Sequence, residues 1–221
     1  MSEHKPRLLR MLLQPRALLS LVRDYVGAGR RPEEPIVDRA GLQRFLQTRA
    51  SLVAQTSLYG YLRTRAGTRY PELFDDDPFA ASINIAKWQV WLSCLSDLAV
   101  YAGGMLAQHS PMAMSRAEEL VREAVDAILE STGVPPDAGP DFTAEAARLR
   151  NRLSACDWLA VPDDESAFSE SPDALVRWAP VVDELKQYDA EIVRNSVRFR
   201  WQEIRRDLRR LLQPEALLAP A

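Results

Sequence analysis

Histidine and cysteine, on which most zinc and nucleophile chemistry depends, occur only twice each in this 221-residue chain. His4 and His109 lie far apart in sequence. Cys94 and Cys156 form no CxxC pair, and Cys94 falls within an apolar helical pattern, so both read as reduced structural thiols of a cytoplasmic protein. No HExxH motif, clustered Cys/His set or carboxylate–histidine bundle motif offers a metal site. No glycine-rich loop is spaced to cradle phosphate, and no serine sits in a nucleophile-elbow context. The residues therefore imply no metal, no cofactor and no catalytic motif. Any enzymatic activity, such as a hydrolase, would have to assemble its residues from distant elements.

Lysine is scarce as well: only Lys5, Lys87 and Lys186 occur among 28 basic residues, so the cationic chemistry is almost wholly guanidinium. Glycine numbers 9, and two-residue alternation is hard to find, which argues against strands. Hydrophobic residues make up 47% and charged residues 27%, an ordinary globular balance with enough apolar material for a sizeable core. Apolar runs near the N-terminus are interrupted by Arg10, Pro15, Arg16 and Arg23, so the segment does not read as a secretory signal. Residues 79–107 are long and apolar enough to test as a membrane span, but Lys87 and Asp97 lie inside, and the stretch reads as a buried core helix.

Helical periodicity, punctuated by proline and glycine, predicts an all-α, single-domain bundle of about six helices around a central helix at about 78–108. The first spans roughly Pro6 to Val26 on a Leu8, Leu12, Leu19, Val22, Val26 stripe that Pro15 interrupts. With the linker after it, it forms a basic amphipathic segment, residues 1–35, ahead of a bundle domain, 36–221. The second helix follows Asp38 as N-cap and runs to about Arg65; Asp77 is expected to cap the central helix. Gly103 and Gly104 are expected to weaken that helix's last turns. A fourth helix opens at Ser110–Pro111 and stops at Gly133. A fifth carries Leu149, Leu153 and Trp158. The last is expected from about Ser171 to Leu212, with a kink near Pro180. Its Val193, Val197, Trp201, Ile204, Leu208 and Leu211 step by fours and threes, like a coiled-coil seam.

Charge is distributed unevenly. Seven basic residues against two acidic ones give residues 1–31 a net +5, and the same holds for residues 194–212, although the whole chain carries −3. The ends also resemble each other: RLLRMLLQPRALL at 7–19 and RDLRRLLQPEALL at 206–218 match at ten of thirteen positions. Both ends could present one docking element, to a partner or to each other; alternatively two Arg/Leu-rich helices converged in composition.

Three further features bear on function. The densest polar and aromatic cluster is Tyr59, Tyr61, Arg63, Arg65, Arg69 and Tyr70, a candidate site for a carboxylate or phosphate, since guanidinium forks match such groups bidentately. Its structural alternative is that these arginines pair with Asp75, Asp76 and Asp77 and hold a turn. Asp97, on an apolar helix, calls for a buried partner, with Arg49 or Arg63 as candidates. The amphipathic ends offer a contact surface of Arg7, Arg10, Leu12, Leu13 and Arg16 at one end and Trp201, Arg205, Arg206, Arg209 and Arg210 at the other. The expectation is a non-enzymatic helical interaction protein, an adaptor, assembly factor or regulatory subunit, docking a protein partner through these helices. The alternatives are a peripheral protein on an anionic membrane surface and a motif-less enzyme. Self-association is open, and nucleic acid is not expected, given the acidic net charge and lack of a known module.

Overall fold

The computed structural model describes residues 34–219, and the helix expected at 6–26 lies outside them. Seven α-helices follow: α1 (Arg39–Ala66), α2 (Asp77–His109), α3 (Met114–Thr132), α4 (Phe142–Ser154), α5 (Glu170–Trp178), α6 (Asp183–Leu211) and α7 (Pro214–Leu217). Among the described residues there is no strand, only an isolated parallel bridge between Ile36 and Leu212. The fold is all-α.

The capping chemistry explains the boundaries. Asp38 accepts a hydrogen bond from the Gly41 N–H at 2.7 Å and opens α1, as its position predicts. Gly67 ends α1 in a positive-φ conformation, φ 55°, which an L-residue with a side chain rarely adopts. Residues 67–74 then wind as a 3-10 helix. Asp76, not Asp77, caps α2 by accepting from Phe79 N–H at 3.0 Å. The shift follows from Pro78, whose fixed φ and missing N–H suit the first turn, which draws Asp77 into the helix. A short 3-10 turn at Pro111–Ala113 precedes α3, so that helix starts later than Ser110. Trp158 falls beyond α4, in its own 3-10 turn.

The expected final helix is broken in two. Proline disfavours the α-region for the residue before it, and Ala179 takes ψ 131° ahead of Pro180. α5 therefore ends at Trp178, and α6 starts afresh at Asp183, with Asp183 and Glu184 in its first turn favoured by the helix dipole.

α2 is the centre of the molecule and packs on α1, α3, α4 and α5. It is apolar and long enough to cross a membrane, but 89% of its most apolar window is buried inside the protein. The helix runs on through Gly103 and Gly104 to His109, and the two glycines make its end approachable. A Cβ built on Gly103 would lie 2.2 Å from the Trp158 ring, and one on Gly104 would lie 2.5 Å from Val161. The chain after α4 packs flat on α2 only because both side chains are missing.

α6 forms an outer layer over α5 and α1. Its stripe of Val193, Val197, Trp201, Ile204, Leu208 and Leu211 is buried within this chain's own core, so the seam-like spacing serves folding. At the far end Ile36 N–H donates to Leu211 C=O and Gln213 N–H donates to Ile36 C=O, tying the segment before α1 to the α6–α7 turn.

Candidate functional site

The aromatic–arginine segment does not converge on one open site. Tyr61 donates to the Asp189 carboxylate of α6 at 3.0 Å, and Arg65 grips the same carboxylate with both its Nε and a terminal nitrogen. The fork that could take a ligand anion is thus filled from within the chain. Hydrogen bonds from Arg65 hold the Asp189 carboxyl below its usual range, against a smaller effect of burial and with help from Tyr61. Arg69 pairs with Glu72 at 3.0 Å, and Tyr70 packs edge-on against Phe74. Arg63 is exposed. Tyr59 is half-buried, and burial, then Tyr70 and Asp137, push its hydroxyl up. The partners expected at Asp75–Asp77 are replaced for Arg65 and Arg69 by Asp189 and Glu72: the former comes from a helix more than a hundred residues away, beyond the reach of local pattern.

Asp97 is fully buried, and its partner is neither Arg49 nor Arg63 but Arg152 of α4, at 2.8 Å. Glu170 N–H and Ser171 N–H, in the first turn of α5, donate to the same carboxylate at 3.1 and 2.7 Å. Arg152 also donates to Ser96 and pairs with Glu170. Burial raises the Asp97 carboxyl, while Arg152 and Ser171 pull it back. Fully buried and accepting hydrogen bonds from Arg152, Glu170 N–H and Ser171 N–H, this carboxylate locks α2, α4 and α5 together; it has no room for a substrate. Arg49 serves instead Asp207, at 3.5 Å.

The basic end of α6 is neutralised from within. Arg209 donates two hydrogen bonds to the Asp163 carboxylate, at 2.5 and 3.1 Å, and Arg205 donates to the Asp163 carbonyl at 2.7 Å. Tyr101 reaches the same carboxylate at 2.5 Å. Burial raises this carboxyl, but the bonds from Arg209 and Tyr101 outweigh it and hold it below its usual range. Arg210 pairs with Asp207, and Arg206 lies near Glu203 with both side chains 72% exposed. Trp201, expected on the contact surface, is a core residue: it is 0% exposed, stacks on Phe168 at 4.5 Å, and donates to Ser171 Oγ. Its place in the apolar stripe decides this, since that stripe is the face α6 buries. Arg7, Arg10, Leu12, Leu13 and Arg16 lie outside the described residues.

The remaining chemistry is muted. Burial, reinforced by Asp97, pushes the Cys94 thiol well up, and burial also raises Cys156, so neither is an activated nucleophile. His109 ends α2 with its Nε2 3.8 Å from Glu215. Among the described residues no group of three or more His, Cys, Asp or Glu side chains converges to hold a metal ion. A groove along α3, bordered by Arg116, Glu119 and Arg122, is open to solvent and self-paired: Arg116 with Glu119, Arg122 with Glu118.

No family model, curated protein or solved structure matches this chain. The functional reading rests on the geometry alone.

That geometry shows a surface the sequence reasoning passed over. Besides its buried stripe, α6 carries a second one facing out: Leu185, Tyr188, Ile192 and Phe199, which are 38%, 82%, 71% and 71% exposed. Val182, just before the helix, is 60% exposed. Leu185, Ile192 and Phe199 are seven apart, and Tyr188 is three beyond Leu185, so the four form one longitudinal row. Single exposed apolar residues are commonplace, but a row of four along one helix is a continuous apolar stripe left in solvent. The seven-residue spacing was present in the sequence. It was masked by the stronger, overlapping 4–3 stripe on the opposite side.

Proposed function

We propose that this protein is a non-enzymatic helical interaction protein whose contact surface is the outer face of α6. The observation that carries this reading is the exposed row Leu185, Tyr188, Ile192 and Phe199 on a helix whose other face is fully engaged. Leaving two large aromatics and two aliphatics in water forgoes a burial worth about 1.5–3 kcal/mol per side chain, which a partner helix seated on the row recovers. The occupant is a helix with an apolar stripe of its own, laid lengthwise, with charged residues at the rim. The polar clusters support this by what they do: Asp97, Asp163 and Asp189 each have their cations and donors inside the chain, which suits joints between helices.

The test is a photo-crosslinking residue in place of exposed Ser196, beside the row, in the full chain expressed in its native cells. The reading expects a discrete adduct of defined mass, abolished by Ile192→Glu. Absence of any adduct from a folded chain overturns it.

A further inference from the structure

The outer row of α6 has a charge pattern along its length that specifies its occupant. Residues 183–191 hold Asp183, Glu184, Asp189 and Glu191 against Lys186, a net −3. Residues 194–206 hold five arginines against Glu203, a net +4. Asp189 is engaged by Arg65, Arg194 by Asp173 and Arg205 by the Asp163 carbonyl, which leaves Glu184 and Glu191 in the first half, and Arg198, Arg200 and Arg206 in the second, as the charges that flank the row. The change of sign falls at Ile192, midway between Leu185 and Phe199. At the rim, Glu184, Glu191 and Arg198 each stand one position before a row residue, at the same seven-residue interval, where the flanking charges of a coiled coil lie. Glu184, Glu191 and Arg200 are exposed.

A helix that is acidic in one half and basic in the other complements its own antiparallel copy. We infer that the occupant of this face is a second copy of the same chain, with the two α6 helices antiparallel and related by a two-fold axis near Ile192. In that arrangement Leu185 of each copy approaches Phe199 of the other, Ile192 meets Ile192, and the acidic half of each helix lies along the basic half of its mate. A two-fold interface uses one patch twice and needs only this self-complementarity. A parallel pair sets like charge on like charge and is disfavoured. The chain's own residues 1–33 are the rival occupant. Their basic excess suits only the acidic half of α6. A second copy satisfies both halves. Because the row is short, the pair forms and separates with concentration rather than permanently.

This inference rests on the proposed contact surface but goes beyond it, and the two fail separately. The experiment is sedimentation equilibrium of the purified full chain, with two charge variants. The chain is expected to approach twice its 24.9 kDa mass as concentration rises. Ile192→Glu is expected to weaken association at least tenfold, with an unchanged melting temperature. Glu184→Arg with Glu191→Arg makes both halves of the face basic, and Arg198→Glu with Arg200→Glu and Arg206→Glu makes both halves acidic. Each variant alone is expected to be monomeric, and an equimolar mixture is expected to recover the dimer. A wild-type chain monomeric at millimolar concentration, a dimer indifferent to Ile192→Glu, or a mixture that stays monomeric overturns the inference. If the wild type is monomeric while Ser196 still crosslinks a different protein, the contact surface stands and the self-pairing falls. If it is monomeric and nothing crosslinks, both fall.

Discussion

The two faces of α6 are built from one stretch of sequence and meet opposite fates. The inner face inserts Val193, Val197, Trp201, Ile204, Leu208 and Leu211 into the core, all 6% exposed or less. The outer face leaves Leu185, Tyr188, Ile192 and Phe199 in water. The inner row is concentrated in the C-terminal half and ends where Leu212 bridges to Ile36. The outer row lies towards the N-terminal half, beyond the Pro180 break. Apolar periodicity alone does not say which face folds the chain and which one stays in solvent. What separates them is the company each keeps: Trp201 has Phe168 and Ser171 within reach, whereas the outer row has nothing from this chain's described residues above it.

That contrast can be probed by substitutions, beginning where the effect is greatest. Trp201→Ala removes the largest inner side chain and is expected to cost about 3–5 kcal/mol in denaturant-derived stability. Asp97→Ala, which strips the joint that holds α5 against α2 and α4, is expected to cost a similar amount, roughly 3–5 kcal/mol, because Arg152 loses its buried counter-ion and the Glu170 and Ser171 N–H groups lose their acceptor. Gly103→Ala tests the close approach of Trp158 to α2; displacing that ring is expected to cost about 1–3 kcal/mol, read by the same denaturation. On the outer face, Ile192→Glu or Phe199→Glu is expected to move stability by no more than about 0.5 kcal/mol. A large loss there would erase the distinction between the faces.

The smallest effect is electrostatic. The Asp163 carboxyl is held below its ordinary value near 3.8, so its contribution to stability is present above that value and drains away as pH falls through the lower folded-state value. Asp163→Asn removes a contribution that exists only with the charged form. A pH series of melting temperatures should therefore show the gap between wild type and variant closing below about pH 4.

The helices were largely legible in the sequence because their signals are local. Asp38 caps, Gly67 and Gly133 terminate, and Pro180 interrupts within a turn of where each acts. The apolar content of residues 78–108 marked the central helix. The joints were not legible. Asp97 finds Arg152 across 55 residues, Arg65 finds Asp189 across 124, and Arg209 finds Asp163 across 46. Nearness in sequence points Arg65 to Asp75–Asp77, and helix order points Asp97 to Arg49 or Arg63, since no pattern in one chain identifies a distant partner. Gly103 and Gly104 follow the same rule: as residues within a helix they count as weak, and only the Trp158 ring and Val161 packed on them show their use. For Trp201 the 4–3 spacing points to the core and the surrounding arginines point to the surface; the spacing wins, since the face it marks is the one α6 buries.

The central claim is that the outer row of α6 is the face on which two copies of the chain meet, whereas the inner row is core. Hydroxyl-radical footprinting of the full chain at rising concentration tests it residue by residue. The account predicts that Tyr188, Ile192 and Phe199 oxidise readily in dilute solution and become protected as the chain associates, while Trp201 is protected throughout. Outer-row residues that stay equally reactive at every concentration, or are shielded even in the dilute monomer, would contradict it.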